Sequence, residues 1–196
     1  MGRLSRELSL AKGWGVPILT CGSGYLASND DAHPVSTDLK NVASEIERKF
    51  LVEDESWNDG SPGVRIAQGY LSLDPDRTVR VRLSGENAWL TVKGRTEGIA
   101  RAEFEYPIPP EEARDLLEMC LPSVIDKTRH RIDFGGHVWE VDVFHGANDG
   151  LVLAEVELDH ASVCPQLPPW VGEEVSSDFR YYNASLAVTP FPAFRA

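Results

Sequence analysis

Cysteine, long apolar runs and positive charge are what this 196-residue chain has least of. Its three cysteines, Cys21, Cys120 and Cys164, lie far apart, with no C-x-x-C pair and no ligand spacing, which excludes a zinc ribbon or a disulfide framework. They read as reduced thiols of a cytoplasmic protein. No stretch is long and apolar enough to form a membrane-spanning helix. Lysine and arginine number 19 against 31 acidic residues, and the net charge of -12 argues against a nucleic-acid-binding surface, because phosphate backbones are bound by basic faces. A local basic pocket is compatible with that balance.

What the chain does have is enough apolar residues, 42%, for one full core. Residues 1–40 differ in character from the rest. "GWGVPILTCGSGYLASNDDAHPVSTD" has weak periodicity and many Gly, Ser, Asp and Pro, so a poorly ordered extension is expected there and a folded domain over 41–196. Arg3, Arg6 and Lys12 before "VPILTCGSGYLA" resemble the start of an export leader. Pro17, Gly22 and Gly24 break that stretch, however, and no small-x-small cleavage box follows.

From Ser44 onward one pattern repeats. In "SEIERKFLV", Glu45, Glu47 and Lys49 fall on one side of a strand and Ile46, Phe50 and Val52 on the other, Arg48 being the exception. "TVRVRLSG" sets Arg80 and Arg82 against Val79, Val81 and Leu83, and "AWLTVKG" sets Trp89, Thr91 and Lys93 against Leu90 and Val92. "RAEFEYPIP" sets Arg101, Glu103 and Glu105 against Phe104, Tyr106 and Ile108; "IDKTRHRIDF" aligns Lys127, Arg129 and Arg131. "HVWEVDVF" sets Glu140 and Asp142 against Trp139, Val141 and Val143, and "LVLAEVEL" sets Glu155 and Glu157 against an apolar side. With the weaker "VRIAQGYLSL" around Tyr70 there are eight strands, a number that can close into a barrel. Short turns at Gly85 and at Gly135–Gly136 favour an antiparallel meander. Helices are expected after Pro110, in "PEEARDLLEMC", and in "RYYNASLAV".

Two arrangements suit such strands. A sandwich would bury the apolar sides and leave the charges solvated, with no site. A sheet closed with its charged sides inward would make a polar tunnel covered outside by helices. That tunnel could hold a polyanion through basic side chains directly and through carboxylates by way of divalent cations.

"EIERK" resembles the ExExK signature of the CYTH superfamily, the triphosphate tunnel metalloenzymes. "QGYL", "TVRVRL", "LTVKG", "EFEYPI", "IDKTRHRI", "WEVDVF", "LAEVEL" and "WVGEEVSSDFRYYNASLA" follow in the order of its small bacterial branch, from Glu45 to Ala187. The resemblance implies a mainly β (α+β) fold, a closed eight-stranded antiparallel β-barrel with a few covering helices. It also implies hydrolysis or cyclisation of triphosphates with Mg²⁺ or Mn²⁺. The metal-binding acids would be Glu45, Glu47, Asp142, Glu155 and Glu157; the phosphate-binding bases would be Lys49, Arg80, Arg82, Lys93, Lys127 and Arg129. Lys49 and Tyr70 would be the catalytic residues, although a Tyr at a strand end is more often a packing residue. Glu103 and Glu105 either join the metal ligands or pair with neighbouring bases, and Arg180 and Tyr181, at the start of the terminal helix, either pack or gate a tunnel mouth.

Within that resemblance the expected reaction is hydrolysis of inorganic tripolyphosphate to pyrophosphate and phosphate. The alternatives are a class IV adenylate cyclase, a thiamine or nucleoside triphosphatase, and a non-catalytic polyphosphate binder, since fold does not fix the reaction. Trp57 and Trp89 are the aromatics available to a base or thiamine ring. The partner is a small-molecule triphosphate, with no nucleic acid and no membrane, and the protein itself is a monomer or homodimer.

Overall fold

Strands that alternate charged and apolar residues hold their register only when one face is shielded, because a one-residue slip would exchange the two faces. The computed structural model describes residues 46–97, 100–121, 123–160 and 162–194. The expected extension, and Glu45 with it, lies outside them. All eight expected strands form: β1 (Ile46–Val52), β2 (Val64–Ser72), β3 (Arg77–Ser84), β4 (Asn87–Glu97), β5 (Ala100–Ile108), β6 (Ile125–Phe134), β7 (His137–His145) and β8 (Val152–Leu158). A ninth, β9 (Val171–Glu174), corrects the count; it is four residues long, contains a glycine and pairs with β1, so no alternation betrays it. Among the described residues the α-helices are α1 (Pro110–Glu118) and α2 (Asn183–Val188).

One antiparallel sheet runs in the order β5-β4-β3-β2-β6-β7-β8-β1-β9. Two-residue turns join β3 to β4 and β6 to β7, and Gly85, Gly135 and Gly136 take positive φ there, which a side chain would resist. The sheet is wound, not flat. Arg129 of β6 donates across β7 to Glu155 of β8 at 2.8 Å, so side chains on that face converge. Tyr70 of β2 lies within electrostatic reach of Lys49 of β1, four ladder positions away, a gap of about 19 Å in a flat sheet.

The outer, apolar face is covered in two parts. Phe50, Trp139, Val141, Ala154, Val156 and Leu158 pack under Trp57 and Trp170, with the rings of Trp139 and Trp170 edge to face at 5.9 Å. Over β2, β3 and β4 lies α1, whose Ala113, Leu116 and Leu117 meet Val81, Ala88 and Leu90. Gly69, on the outer side of β2, is required by that contact: a Cβ there would come within 2.6 Å of the Cys120 Cβ.

A third cluster stoppers the inner face. One step along from the charged positions, each neighbouring strand presents an apolar inward residue: Leu51, Leu153, Phe144 and Ile125. Leu186 and Ala187 of α2, with Phe191, pack onto them. The interior is therefore polar at one end and plugged by apolar side chains at the other. Arg180 and Tyr181 do not begin the terminal helix, as expected; they sit in a preceding 3₁₀ turn where the Asp178 carboxylate accepts from the Arg180 N–H. Capping by Asp178 starts a separate turn, and Tyr182 in extended geometry interrupts it before α2.

The cysteines also differ from expectation. Cys164 is disulfide-bonded and only Cys120 is free among the described residues; folding can join cysteines whose sequence spacing carries no sign of pairing. No helix among the described residues is long and apolar enough to cross a membrane.

The Gly69 contact is testable. Gly69→Ala should lower the unfolding free energy by about 1–3 kcal/mol through overpacking beneath α1, read as a shift of the denaturant midpoint at unchanged slope.

Candidate active site

Register decides which side chains share the interior. Directly opposed residues of an antiparallel pair point to the same face. Glu47 pairs with Glu157 and Lys49 with Glu155; Glu155 pairs in turn with Glu140, and Asp142 with Arg129. On the other half, Tyr70 pairs with Arg80, Arg80 with Thr91, Thr91 with Glu105, and Lys93 with Glu103. Every expected site residue among the described ones thus lies on the one inward face.

The side chains there form two networks. In the first, Lys49 donates to Glu155, and Arg129 donates to Glu140, Asp142 and Glu155 at once. Asp142 is fully buried; its Oδ1 accepts from Arg129 Nε at 2.7 Å and its Oδ2 from Lys127 Nζ at 2.5 Å and Arg129 Nη2 at 2.6 Å. In the second, Glu105 Oε2 accepts from Thr91 Oγ1 at 2.9 Å, Arg80 Nη2 at 3.3 Å and Arg82 Nη2 at 3.4 Å, while Lys93 reaches Glu103 at 2.7 Å. Between the two networks, buried Gln68 donates its Nε2–H to the Tyr70 hydroxyl at 2.9 Å.

Burial sets the electrostatics of these groups. Burial opposes the charge on Lys49, but Glu155 and Glu47 outweigh it and raise its pKa, so it stays an ammonium. Burial likewise opposes a charged Glu155, yet Lys49, Lys127 and Arg129 hold its carboxyl well below the ordinary range. Lys127 goes the other way: burial lowers it, and repulsion from Arg129 offsets part of what Asp142 supplies. Burial pushes the Tyr70 phenol up to about 12 against the pull of Arg80, so it is a neutral hydroxyl near neutral pH.

The expected metal ligands fare unequally. Glu47 and Glu157 face each other across β1 and β8, both exposed, with Lys49 Nζ 3.6 Å from Glu47. Glu155 lies beside them but is held by Lys49 and Arg129, and Asp142 is enclosed by bases. Among the described residues no three acids or histidines stand close enough to hold an ion together. Trp57 belongs to the outer cluster, whereas Trp89 faces inward with the Arg82 guanidinium 5.5 Å from its ring.

The CYTH domain family matches residues 43–189. The chain belongs to the CYTH domain family. It is 43% identical over 155 residues to an inorganic triphosphatase of Acetivibrio thermocellus, covering 79% of this chain and 99% of that one. An inorganic triphosphatase of Nitrosomonas europaea is 37% identical, covering 74% and 98%. The crystal structure of an inorganic triphosphatase, 34% identical, superposes with a TM-score of 0.58 over 74% of this chain and 96% of that one.

Two residues of this CYTH interior escape a reading by charge alone. Gln68 and Thr91 are uncharged, and their burial follows only from register; parity could have flagged both, since Gln68 shares the face of Tyr70 and Thr91 that of Lys93. Glu140 shares a face with Asp142 and takes bonds from Arg129 and Arg131.

Glu155 makes the CYTH fold acid-sensitive. Its folded-state pKa lies below the ordinary 4.5, so its contribution is present above that value and is lost as pH falls below it toward the folded pKa. Glu155→Gln should cost about 3 kcal/mol at neutral pH by leaving Lys49 and Arg129 short of a partner. Its unfolding midpoint should also change less than that of the unsubstituted protein between neutral pH and pH 3, followed by thermal unfolding across that range.

Proposed function

We propose that this CYTH protein is a divalent-metal-dependent inorganic triphosphatase that hydrolyses tripolyphosphate to pyrophosphate and phosphate inside its tunnel. The observation that carries the reading is one concave face on which bases and acids alternate in near balance. A triphosphate brings several negative charges. Such a face has no excess positive charge to balance them, so cations have to enter with the substrate. The relatives' names point to the same substrate.

In this reading Arg80, Arg82, Lys93, Lys127 and Arg129 hold the non-reacting phosphates in register, and Lys49, kept cationic by Glu155 and Glu47, faces the phosphoryl group being transferred. Tyr70 offers a neutral hydroxyl whose acceptor side is occupied by Gln68, leaving its proton for a phosphate oxygen. Water oxygen bonds to the terminal phosphorus, and the bond from that phosphorus to the bridging oxygen breaks. Pyrophosphate then leaves with the electron pair. The residues that would hold Mg²⁺ or Mn²⁺ are Glu47 and Glu157, exposed and directly opposed on β1 and β8, together with Glu45 of the signature, which lies outside the described residues. Bound there, the ion would supply charge neutralisation on the phosphoryl oxygens and a more acidic water. Asp142 fits a different task, because both its oxygens are already taken by Lys127 and Arg129; it orients those bases.

Phosphate release from tripolyphosphate should require Mg²⁺ or Mn²⁺ and vanish in excess chelator; undiminished turnover in chelator would refute the metal. Lys49→Ala should reduce kcat by about 10²-fold with a smaller change in KM, because its charge counts most in the transition state. With ATP under the same metal, the expected products contain little or no cyclic AMP. Cyclic AMP plus pyrophosphate as main products, with tripolyphosphate left intact, would favour a cyclase.

A further inference from the structure

We propose that the Glu105 carboxylate is a built-in occupant of the phosphate seat formed by Arg80, Arg82 and Thr91, and that substrate binding has to displace it. The inference deepens the triphosphatase reading and rests on it. Three donors converge on a single oxygen, Glu105 Oε2: the Thr91 hydroxyl at 2.9 Å and one Nη of each arginine at 3.3 and 3.4 Å. A carboxylate oxygen has two lone pairs, so the seat is over-supplied with donors for this acceptor, and the two arginine contacts are correspondingly long. Arg80 Nε is buried and has no hydrogen-bond partner among the described residues. A phosphoryl group, with three oxygens spread over a tetrahedral face, would divide those donors among them and could reach the unspent Nε.

The contrast with Asp142 shows which acid is displaceable. Asp142 is sealed at 0% exposure with short bonds to both oxygens, whereas the Glu105 side chain is 35% exposed and held through Oε2. Glu105 can swing out into the tunnel, and Asp142 cannot. In the empty protein Glu105 compensates the paired guanidiniums, which would otherwise repel each other. A ligand must outbid that carboxylate, so single phosphates and weak anions are discriminated against while a triphosphate, gripped at several points, is not.

The test is calorimetric titration of pyrophosphate into the full-length protein at one fixed Mg²⁺ concentration; pyrophosphate is the product of the proposed reaction, so turnover does not enter the readout. Glu105→Gln, which removes the competing charge, should bind pyrophosphate about fivefold more tightly than the unsubstituted protein. Glu105→Asp, which keeps the charge but is one methylene too short to fill the seat, should also gain. Glu111→Gln on α1 removes the same charge away from the tunnel and should leave the affinity unchanged. Equal or weaker binding by both Glu105 variants, against normal binding by the unsubstituted protein, would overturn this inference alone. An equal gain in Glu111→Gln would overturn it too, by tracing the effect to net charge. Absence of pyrophosphate binding in every protein would overturn it together with the phosphate reading.

Discussion

Ionised side chains are costly to bury, and this fold buries a chain of them: Lys49, Glu155, Arg129, Asp142 and Lys127 are linked end to end, with Lys127 and Asp142 almost wholly withdrawn from solvent. Each charge is tolerable only because the next lies within hydrogen-bond distance. The Arg129–Glu155 link reaches from β6 over β7 to β8, so it exists only while the sheet is curved. Flattening it would separate Arg129 from Glu155 and leave both short of a partner. Curvature, burial and charge pairing are thus one constraint.

The remaining structure answers to it. Turning the polar face inward leaves an apolar face outward, which needs α1 on one half and the Trp57 and Trp170 segments on the other. The interior needs an end, and the layer formed by Ile125, Phe144 and Leu153 under α2 makes one. That apolar floor confines any polyanion to the charged half. It also withdraws Tyr70 from water, which keeps its phenol protonated beside three cationic side chains.

An interior balanced in charge while empty suits a substrate that arrives with its own cations. The two networks are not equivalent in this respect. The Asp142 network is short, enclosed and rigid, fitted to holding Lys127 and Arg129 in place. The Glu105 network is longer, more open and overloaded with donors, fitted to exchanging one anion for another. The first serves position and the second serves entry.

Much of this was legible along the chain. Strand identity, the division into charged and apolar faces, the hairpin turns and the helix after Pro110 follow from the period-two pattern and from Gly and Pro chemistry, which are local. The membership of the inward face was legible too, since parity alone places Lys49, Arg82 and Glu155 together once one assumes which face turns in. Pairing was not. That Asp142 is consumed by Lys127 and Arg129, and that Glu105 sits in the seat of Arg80 and Arg82, depend on strand pairing and curvature, which set β6 against β7 and bring β5 within reach of β3 across β4. β9 escaped for a similar reason: its four residues are a strand only because β1 offers them a free edge. Alternation along a strand determines what each side chain faces; only the winding of the sheet decides which charge it meets.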